Sequence, residues 1–207
     1  MAQDDLNAVT AELQIPVAAE DEARAGVYLL LGVLLRAAPT AELLDQVRQL
    51  DGAGGRDGFA LAWEGLRLAA AAGQVSRLGD EYQELFIGIG RGELVPYGSW
   101  YTTGFLMEKP LGELRRDLHA LGFEREPGVH EPEDHLAALC DVMSQLALDS
   151  QIPVERQRAF FQAHIGPWVA RFCSDLEQAQ AALFYKAVAR LGTEFFALER
   201  RYLSMEG

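Results

Sequence analysis

The chain has 207 residues, of which 49% are apolar, and its 31 acidic residues outnumber 18 basic ones to leave a formal net charge of −13. This composition predicts a folded chain with one sizeable core. It argues against binding to nucleic acid, because phosphates repel an acidic surface. The charge favours a basic partner such as an arginine-rich peptide, although solubility alone also explains an acidic surface.

The balance of residue types predicts an all-α protein. Alanine and leucine dominate and β-branched residues are sparse, so we expect eight to ten helices and no strand. The N-terminal sequence "MAQDDLNAVTAELQIP" lacks the basic-then-apolar order of a secretory signal. The most apolar stretch, residues 25–38, contains Arg36 and is shorter than the roughly 20 residues that a membrane span needs. We therefore expect a cytoplasmic protein without membrane insertion.

The first elements in chain order are helices. Residues 1–20 show no firm pattern, whereas Asp21–Ala37 is so apolar that we expect a helix surrounded by protein. A second helix should begin after Pro39 with Thr40 as its N-cap. The glycine-rich residues 51–58 lack the lysine and hydroxyl of a phosphate-binding loop, so they are interpreted as a linker.

Two more helices are predicted in residues 60–73 and 75–88, and a segment rich in glycine follows them. Residues 88–98, "GIGRGELVPYG", hold four glycines and one proline, which indicates a hinge or an exposed functional loop. We expect a single domain over residues 1–207. Its parts would be N-terminal helices (1–87), a hinge loop (88–105) and C-terminal helices (106–207).

The C-terminal part is also predicted to be helical. Pro110 and Gly122 mark the two ends of one of them. Two long amphipathic segments follow downstream, and Pro167 should break the first. Cys140 and Cys173 belong to no CxxC pair, so we expect buried, reduced thiols.

The segment "HEPEDHLAALCDVM", residues 130–143, concentrates groups that could bind a metal or catalyse proton transfer. These are His130, Glu131, Glu133, Asp134, His135 and Asp141. A metal site is disfavoured because the two histidines are five residues apart and the HExxH spacing is absent. Asp134 and His135 could form an acid–base pair, but no nucleophile motif or cofactor fingerprint accompanies them. We expect no catalytic residues, no metal and no cofactor.

A structural interpretation of the same segment competes with the chemical one. Pro132 suits the first position of a helix, and the carboxylates would then lie near the positive end of the helix dipole. Apolar residues at spacings of three and four would form a buried stripe, namely Leu136, Leu139, Cys140, Met143, Leu146 and Ala147.

The stretch "VPYGSWY" places Tyr97, Trp100 and Tyr101 in a glycine-rich loop. These rings either pack onto the helices or line a groove. Aromatic rings near acidic groups would suit an apolar peptide with a basic head.

Three blocks resemble the TorD/DmsD family of cytoplasmic chaperones that mature molybdenum-containing redox enzymes. They are "EYQELFIGIGRGELVPYGSWY", "EPEDHLAALCDVMSQLA" and "FFQAHIGPWVARFCSDLEQAQAALFYKAVARL". Together they cover about residues 81–193 in the family's order. Two departures from the family's pattern are Tyr97, where some members carry tryptophan, and Ile89, where proline is common.

The resemblance implies an all-helical chaperone that is not an enzyme. Such proteins bind the twin-arginine signal peptide of a molybdenum oxidoreductase precursor and hold it back from export until the cofactor is inserted. Asp134 would face a partner's arginine, and His135 would tie its helix to the central loop. Carried over by position, the binding residues would be Leu85, Phe86, Pro96, Tyr97, Gly98, Ser99, Trp100, Tyr101, Glu131, Asp134 and His135.

Two alternatives remain open at this point. One is an assembly chaperone of the nitrate-reductase type, which acts on a subunit that is not exported. The other is a small helical protein that binds a nucleotide or a metal, although no phosphate loop is present. We expect a monomer, with a dimer that exchanges helices through residues 88–98 as the alternative. No residue identifies the client enzyme.

Overall fold

The computed structural model describes residues 17–51, 54–125, 128 and 131–205, and these ranges form an all-helical fold. The α-helices are α1 Ala19–Arg36, α2 Ala41–Gln49, α3 Gly58–Ala72, α4 Val75–Tyr82, α5 Gly98–Thr103, α6 Lys109–Ala120, α7 Leu136–Leu148, α8 Val154–His164, α9 Val169–Gln178 and α10 Phe184–Ser204. A π-helical turn, Gln83–Ile87, continues α4. The predicted all-α class is confirmed, and most of residues 1–20 lie outside the described ranges.

Several helix ends fall where the sequence predicts them. The Thr40 hydroxyl accepts the backbone N–H of Leu43 at 3.2 Å and so caps α2. Gly122, with φ of +83°, follows the end of α6. Pro167 lies between α8 and α9, so the predicted break is confirmed. One expectation is only partly met, since residues 98–103 of the predicted 88–105 loop form a helix.

The antiparallel helices α1 and α7 form the centre of the core. Ser144 Oγ donates to the carbonyl of Ala25 at 3.0 Å. Further along the pair, a Cβ added to Gly32 would lie 3.3 Å from the carbonyl oxygen of Ala137. The missing side chain therefore allows the two backbones to approach closely.

Helix α1 is not fully surrounded by protein, contrary to the prediction. Leu29 is 52% exposed and Val33 lies on the same open side. The reason is that α7 and α10 cover only part of its circumference. No helix in the described ranges is long and apolar enough to cross a bilayer.

Two glutamates on either side of the turn at residues 88–92 bond to the backbone around the start of α10. The Glu81 carboxylate accepts the backbone N–H groups of residues 183–185 at 2.7 to 3.2 Å. The Glu93 carboxylate accepts those of Gln180 and Ala181. The bonds to Glu81 satisfy N–H groups that the start of α10 leaves without partners, whereas those to Glu93 hold the segment before α10. Because Glu81 precedes the turn at residues 88–92 and Glu93 follows it, both ends of that turn are fixed.

A buried polar network joins three helices at the other side of the core. Arg24 Nε donates to Glu199 Oε2 at 2.9 Å, and Arg24 Nη2 donates to Gln157 Oε1 at 2.9 Å. All three side chains are buried, so a desolvated ion pair joins α1 to α10 and a hydrogen bond from the same arginine joins α8 to them.

Both cysteines are free and buried, as predicted. Burial raises the pKa of the Cys173 thiol to about 12, and it also raises the pKa of Cys140. Both groups are therefore neutral thiols at neutral pH.

Candidate functional site

The central loop and the start of α7 are joined by backbone hydrogen bonds. The N–H of Gly98 donates to the carbonyl of Asp134 at 2.9 Å, and the N–H of Leu136 donates to the carbonyl of Pro96 at 2.9 Å. Tyr97 and His135 form an isolated antiparallel bridge between these bonds. The junction of residues 96–101 with residues 131–135 therefore unites two of the blocks that the sequence singled out.

Helix α7 begins at Leu136, so the prediction that Pro132 occupies its first position is wrong. Residues 132–135 form a turn in which the N–H of His135 donates to the carbonyl of Pro132 at 3.2 Å. The carboxylates of residues 131, 133 and 134 consequently lie before the helix and not in its first turn. The physical reason is that pairing with the central loop holds His135 in an extended conformation, with ψ of 134°.

His135 is the N-cap of α7 and ties this helix to the loop, as expected. Its Nδ1 accepts the backbone N–H of Ala137 at 3.1 Å, which places the ring proton on Nε2. The ring lies edge-on to Tyr97 at 5.0 Å between centroids. Burial lowers the pKa of His135, and this outweighs the opposing effect of Glu131, so the neutral ring is favoured.

Asp134 serves helix α5 and not helix α7. Its Oδ2 accepts the backbone N–H of Ser99 at 2.8 Å, and only 3% of the residue is exposed. Asp134 Oδ1 and Ser99 Oγ are buried without a hydrogen-bond partner among the described residues. Because it is buried, Asp134 is not accessible to a partner's arginine in this conformation. Asp134 and His135 bond to different backbone groups, which gives no support to an acid–base pair.

Glu131 is the exposed carboxylate of the junction. The Tyr97 hydroxyl donates a hydrogen bond to it. Burial and this bond raise the pKa of Tyr97, so the hydroxyl remains protonated. Within the described part of the chain, no arginine or lysine pairs with the Glu131 side chain, whereas Arg115 and Arg125 both approach Glu133.

A cavity of about 720 Å³ opens beside Glu131, between α6 and the first half of α7. Side chains of both charges and apolar side chains line it. The lining includes Arg36, Arg115, Leu118, His119, Phe123, Glu124, Arg125, Glu131, Glu133, His135, Asp141 and Val142. Arg115 holds the pKa of Glu133 below its usual value although partial burial opposes the shift, and Arg36 pairs with Asp141. Glu131 and Glu124 are the lining carboxylates without an ion pair among the described residues.

The three loop aromatics have different surroundings. Tyr101 stacks on Trp168 with 5.4 Å between centroids, and its hydroxyl donates to Asp175 at 3.1 Å. It therefore packs onto α9. Trp100 is half-buried, and the guanidinium of Arg91 lies 4.8 Å from its ring centroid. Tyr97 and Trp100 leave part of their rings open to solvent.

Most of the other predicted binding residues are buried and stabilise the junction. Leu85 is completely buried in the core. Phe86 packs between Tyr82 and Tyr185, at 5.1 and 5.3 Å between centroids. Pro96, Gly98 and Ser99 are buried, so they contribute mainly backbone.

Sequence reasoning did not identify the arginines of the cavity or the contact of Arg91 with Trp100. Arg36, Arg115 and Arg125 lie far apart along the chain and read as ordinary polar-face residues, so no local signal marked them. His130, one of the candidate metal ligands, lies outside the described residues. Within the described ranges no group of three or more His, Cys, Asp or Glu could hold a metal ion.

Comparison with known proteins assigns the chain to a family. The family model described as "Nitrate reductase delta subunit" matches residues 53–174, which is more than half of the chain. The chain therefore belongs to this family, the TorD-type family of redox-enzyme maturation chaperones that its motifs resemble.

Named relatives agree with this assignment. A protein of Vibrio cholerae serotype O1 named "Chaperone protein TorD" is 31% identical over 136 residues, covering 61% of this chain and 62% of the relative. One of the same name from Vibrio vulnificus is 26% identical over 210 residues, covering 90% and 97%. Their names denote chaperones, which supports the expectation that the chain is not an enzyme. The match thus spans about 62% of the length of the first relative.

A solved structure has the same fold. The crystal structure of a candidate redox enzyme maturation protein from Archaeoglobus fulgidus superposes with a TM-score of 0.57 and 19% identity, covering 89% of this chain and 98% of that one. At this identity the likeness shows the fold alone.

Proposed function

We propose that this protein is a cytoplasmic chaperone for a molybdenum-containing oxidoreductase. It binds the twin-arginine signal peptide of the precursor and holds the precursor until the cofactor is inserted before export. One observation carries the proposal: residues 96–101 and 131–135, which the resemblance singled out, meet in a single junction beside an open cavity. The chaperone names of the relatives support it.

Glu131 is the group best placed to receive an arginine of the peptide. Its carboxylate is exposed, lines the cavity and has no ion pair among the described residues. A guanidinium binds a carboxylate through two parallel hydrogen bonds, which an ammonium group cannot reproduce. The net charge of −13 would also accelerate the approach of a basic peptide.

Asp134 and His135 contribute by positioning. Asp134 fixes the start of α5 through Ser99, and His135 fixes Tyr97. Together they hold the Tyr97 hydroxyl against Glu131, which orients the carboxylate. Their replacement should weaken peptide binding through this geometry even though neither side chain is exposed.

The relatives named TorD favour this function over the nitrate-reductase assembly alternative. We further propose a monomer, because exchange of helices would need the packed turn at residues 88–92 to open. A mass measurement in solution at several protein concentrations would test this part.

The test is a titration of the purified protein with a peptide that carries a twin-arginine motif and its apolar stretch, beside a twin-lysine peptide. We expect about tenfold or stronger preference for arginine, since charge-assisted bidentate bonds are lost with lysine. Glu131→Gln should remove most of that preference. Glu155→Gln, at an exposed carboxylate on α8, is the matched control and should behave like the wild type.

Absence of binding to several such peptides would contradict the proposed function. Equal binding of the arginine and lysine peptides would contradict the role given to Glu131.

A further inference from the structure

Two neighbouring turns present large apolar side chains to solvent. In the first turn Ile87 is 51% exposed and Ile89 is completely exposed. In the second turn Phe105, Leu106 and Met107 are 68%, 45% and 71% exposed. Three consecutive exposed apolar residues are unusual on a protein surface without a binding role.

The first turn is closely packed. The N–H of Gly88, which has φ of +61°, donates to the carbonyl of Gln83 at 2.7 Å. A Cβ added to Gly88 would lie 2.1 Å from the carbonyl oxygen of Arg91, and one added to Gly92 would lie 2.5 Å from that of Leu85. Backbone packs directly on backbone here, so Ile89 is held outward by the fold.

The second turn is strained. Met107 has a φ of 59°, and no other non-glycine residue in the described part of the chain has a positive φ. This conformation costs about 1 kcal/mol or more for a residue with a Cβ. The Met107 side chain is largely exposed, so its burial does not offset this cost.

Trp100 adjoins both turns. Arg91, at the end of the first turn, lies over the Trp100 ring at 4.8 Å, and the Trp100 carbonyl accepts the N–H of Gly104 at 2.8 Å. We name the exposed apolar side chains of the two turns, together with Trp100, the apolar rim. It consists of Ile87, Ile89, Trp100, Phe105, Leu106 and Met107.

We infer that the signal peptide binds in a fixed direction, with its arginines at Glu131 and its apolar stretch on the apolar rim. This inference rests on the proposed function and adds the second contact surface and the polarity. Tyr97 links the two along the chain, since it bonds to Glu131 and precedes Trp100 by three residues. Arg91 already occupies the face of Trp100, so the peptide's arginines belong at the Glu131 end.

Charge selects the peptide over other occupants of the rim. A second copy of this chain and an anionic bilayer would both be repelled by a net charge of −13. A basic peptide with an apolar stretch has the complementary charge, and the flexible side chain of methionine adapts to varied apolar sequences.

The experiment compares Ile89→Ser, Phe105→Ser and Met107→Ser with the wild type. Each is titrated with the full twin-arginine peptide and with a shortened peptide that lacks the apolar stretch. Each variant should bind the full peptide about tenfold more weakly or worse, given the usual contribution of a buried large apolar side chain. Binding of the shortened peptide and the preference for arginine over lysine should not change.

Leu61→Ser and Leu68→Ser are matched controls, because these leucines are 67% and 63% exposed on α3, outside the rim. They should leave both titrations unchanged. If the rim variants bind the full peptide as the wild type does, or weaken both peptides equally, the inference is overturned while the proposed function stands. Failure of the wild type to bind either peptide would overturn both.

Two further measurements test whether the apolar rim binds a bilayer or a second copy of this chain instead of the peptide. Binding of the wild type to phosphatidylglycerol vesicles that the rim variants lose would overturn the inference in favour of a bilayer. A wild-type dimer that Phe105→Ser converts to a monomer would overturn it in favour of a second copy. We expect neither.

Discussion

Asp134 accepts the backbone N–H of Ser99 across 35 residues of sequence, and this bond couples the turn before α7 to the start of α5. The acceptor is a buried carboxylate and the donor is an otherwise unsatisfied N–H at a helix start. The bond therefore holds together the two chain segments from which the candidate site is built.

Replacing Asp134 by alanine should lower the free energy of unfolding by about 1–3 kcal/mol, because the Ser99 N–H would be buried without an acceptor. Asp134→Asn keeps an acceptor oxygen and should retain most of the stability. Urea denaturation of both variants measures the difference. Ser99→Ala is the control and should be nearly neutral, since Ser99 Oγ has no partner in the described part of the structure. A loss in Asp134→Asn as large as in Asp134→Ala would contradict this account of the bond.

Gly88 should tolerate no side chain. Gly88→Ala places a Cβ 2.1 Å from the Arg91 carbonyl oxygen at a positive φ, so we expect a loss of at least about 2 kcal/mol in stability. Gly79→Ala, within α4 and with no atom within 4 Å of the added Cβ, should be neutral or stabilising by up to about 1 kcal/mol. Thermal unfolding of the pair tests the prediction, and equal melting temperatures would show that the turn at 88–92 is loose.

The buried pair of Arg24 and Glu199 should be far more sensitive than an exposed pair. Glu199→Ala leaves the buried guanidinium of Arg24 with less compensation and should cost about 3–5 kcal/mol. Glu177→Ala removes an exposed partner of Arg190 and should cost less than about 1 kcal/mol. Chemical denaturation of both variants measures their free energies of unfolding. Similar losses of stability would show that burial does not determine how much an ion pair contributes.

Stability should fall as the pH decreases below about 6.5, and His135 should contribute to the loss. Its pKa is lowered by burial in the folded state, so the unfolded chain, with a pKa of about 6.5, binds the proton more readily. The loss begins near the unfolded pKa and is complete once the pH is below the folded one. Protonation of Nδ1 would also remove the acceptor for the Ala137 N–H.

His135→Asn isolates this contribution, because asparagine is a good N-cap that does not titrate in this range. The free energy of unfolding of wild type and variant is measured at pH 7.5 and 5.5. The wild type should lose more stability than the variant over this interval. Parallel losses would show that the other histidines or the carboxylates account for the whole effect.

Much of the fold could be predicted because its signals are local. Thr40, Pro110, Gly122 and Pro167 act on their own helix ends, and the stripe from Leu136 to Ala147 has the helical period. The start of α7 could not be predicted in this way. Pro132 is a good first helical residue, yet residues 134–136 use their backbone groups to pair with the central loop.

The sequence predicted which residues belong to the candidate site, but not how their side chains are arranged. Sequence motifs brought Tyr97, Asp134 and His135 together, but burial of Asp134 and exposure of Glu131 depend on tertiary packing. The contact of Arg91 with Trp100 likewise has no local signature. The use of these residues in peptide binding remains a prediction.

We propose above all that the junction of residues 96–101 with 131–135 binds the arginine end of a signal peptide. The most direct measurement is photo-crosslinking with a peptide that carries a photoreactive residue next to its arginine pair, followed by mass spectrometry of the digested adduct. We expect adducts on residues 131–135 and on Tyr97 that unlabelled twin-arginine peptide suppresses and the twin-lysine peptide does not. Adducts that map to α3 or α8, or that the lysine peptide suppresses equally well, would contradict it.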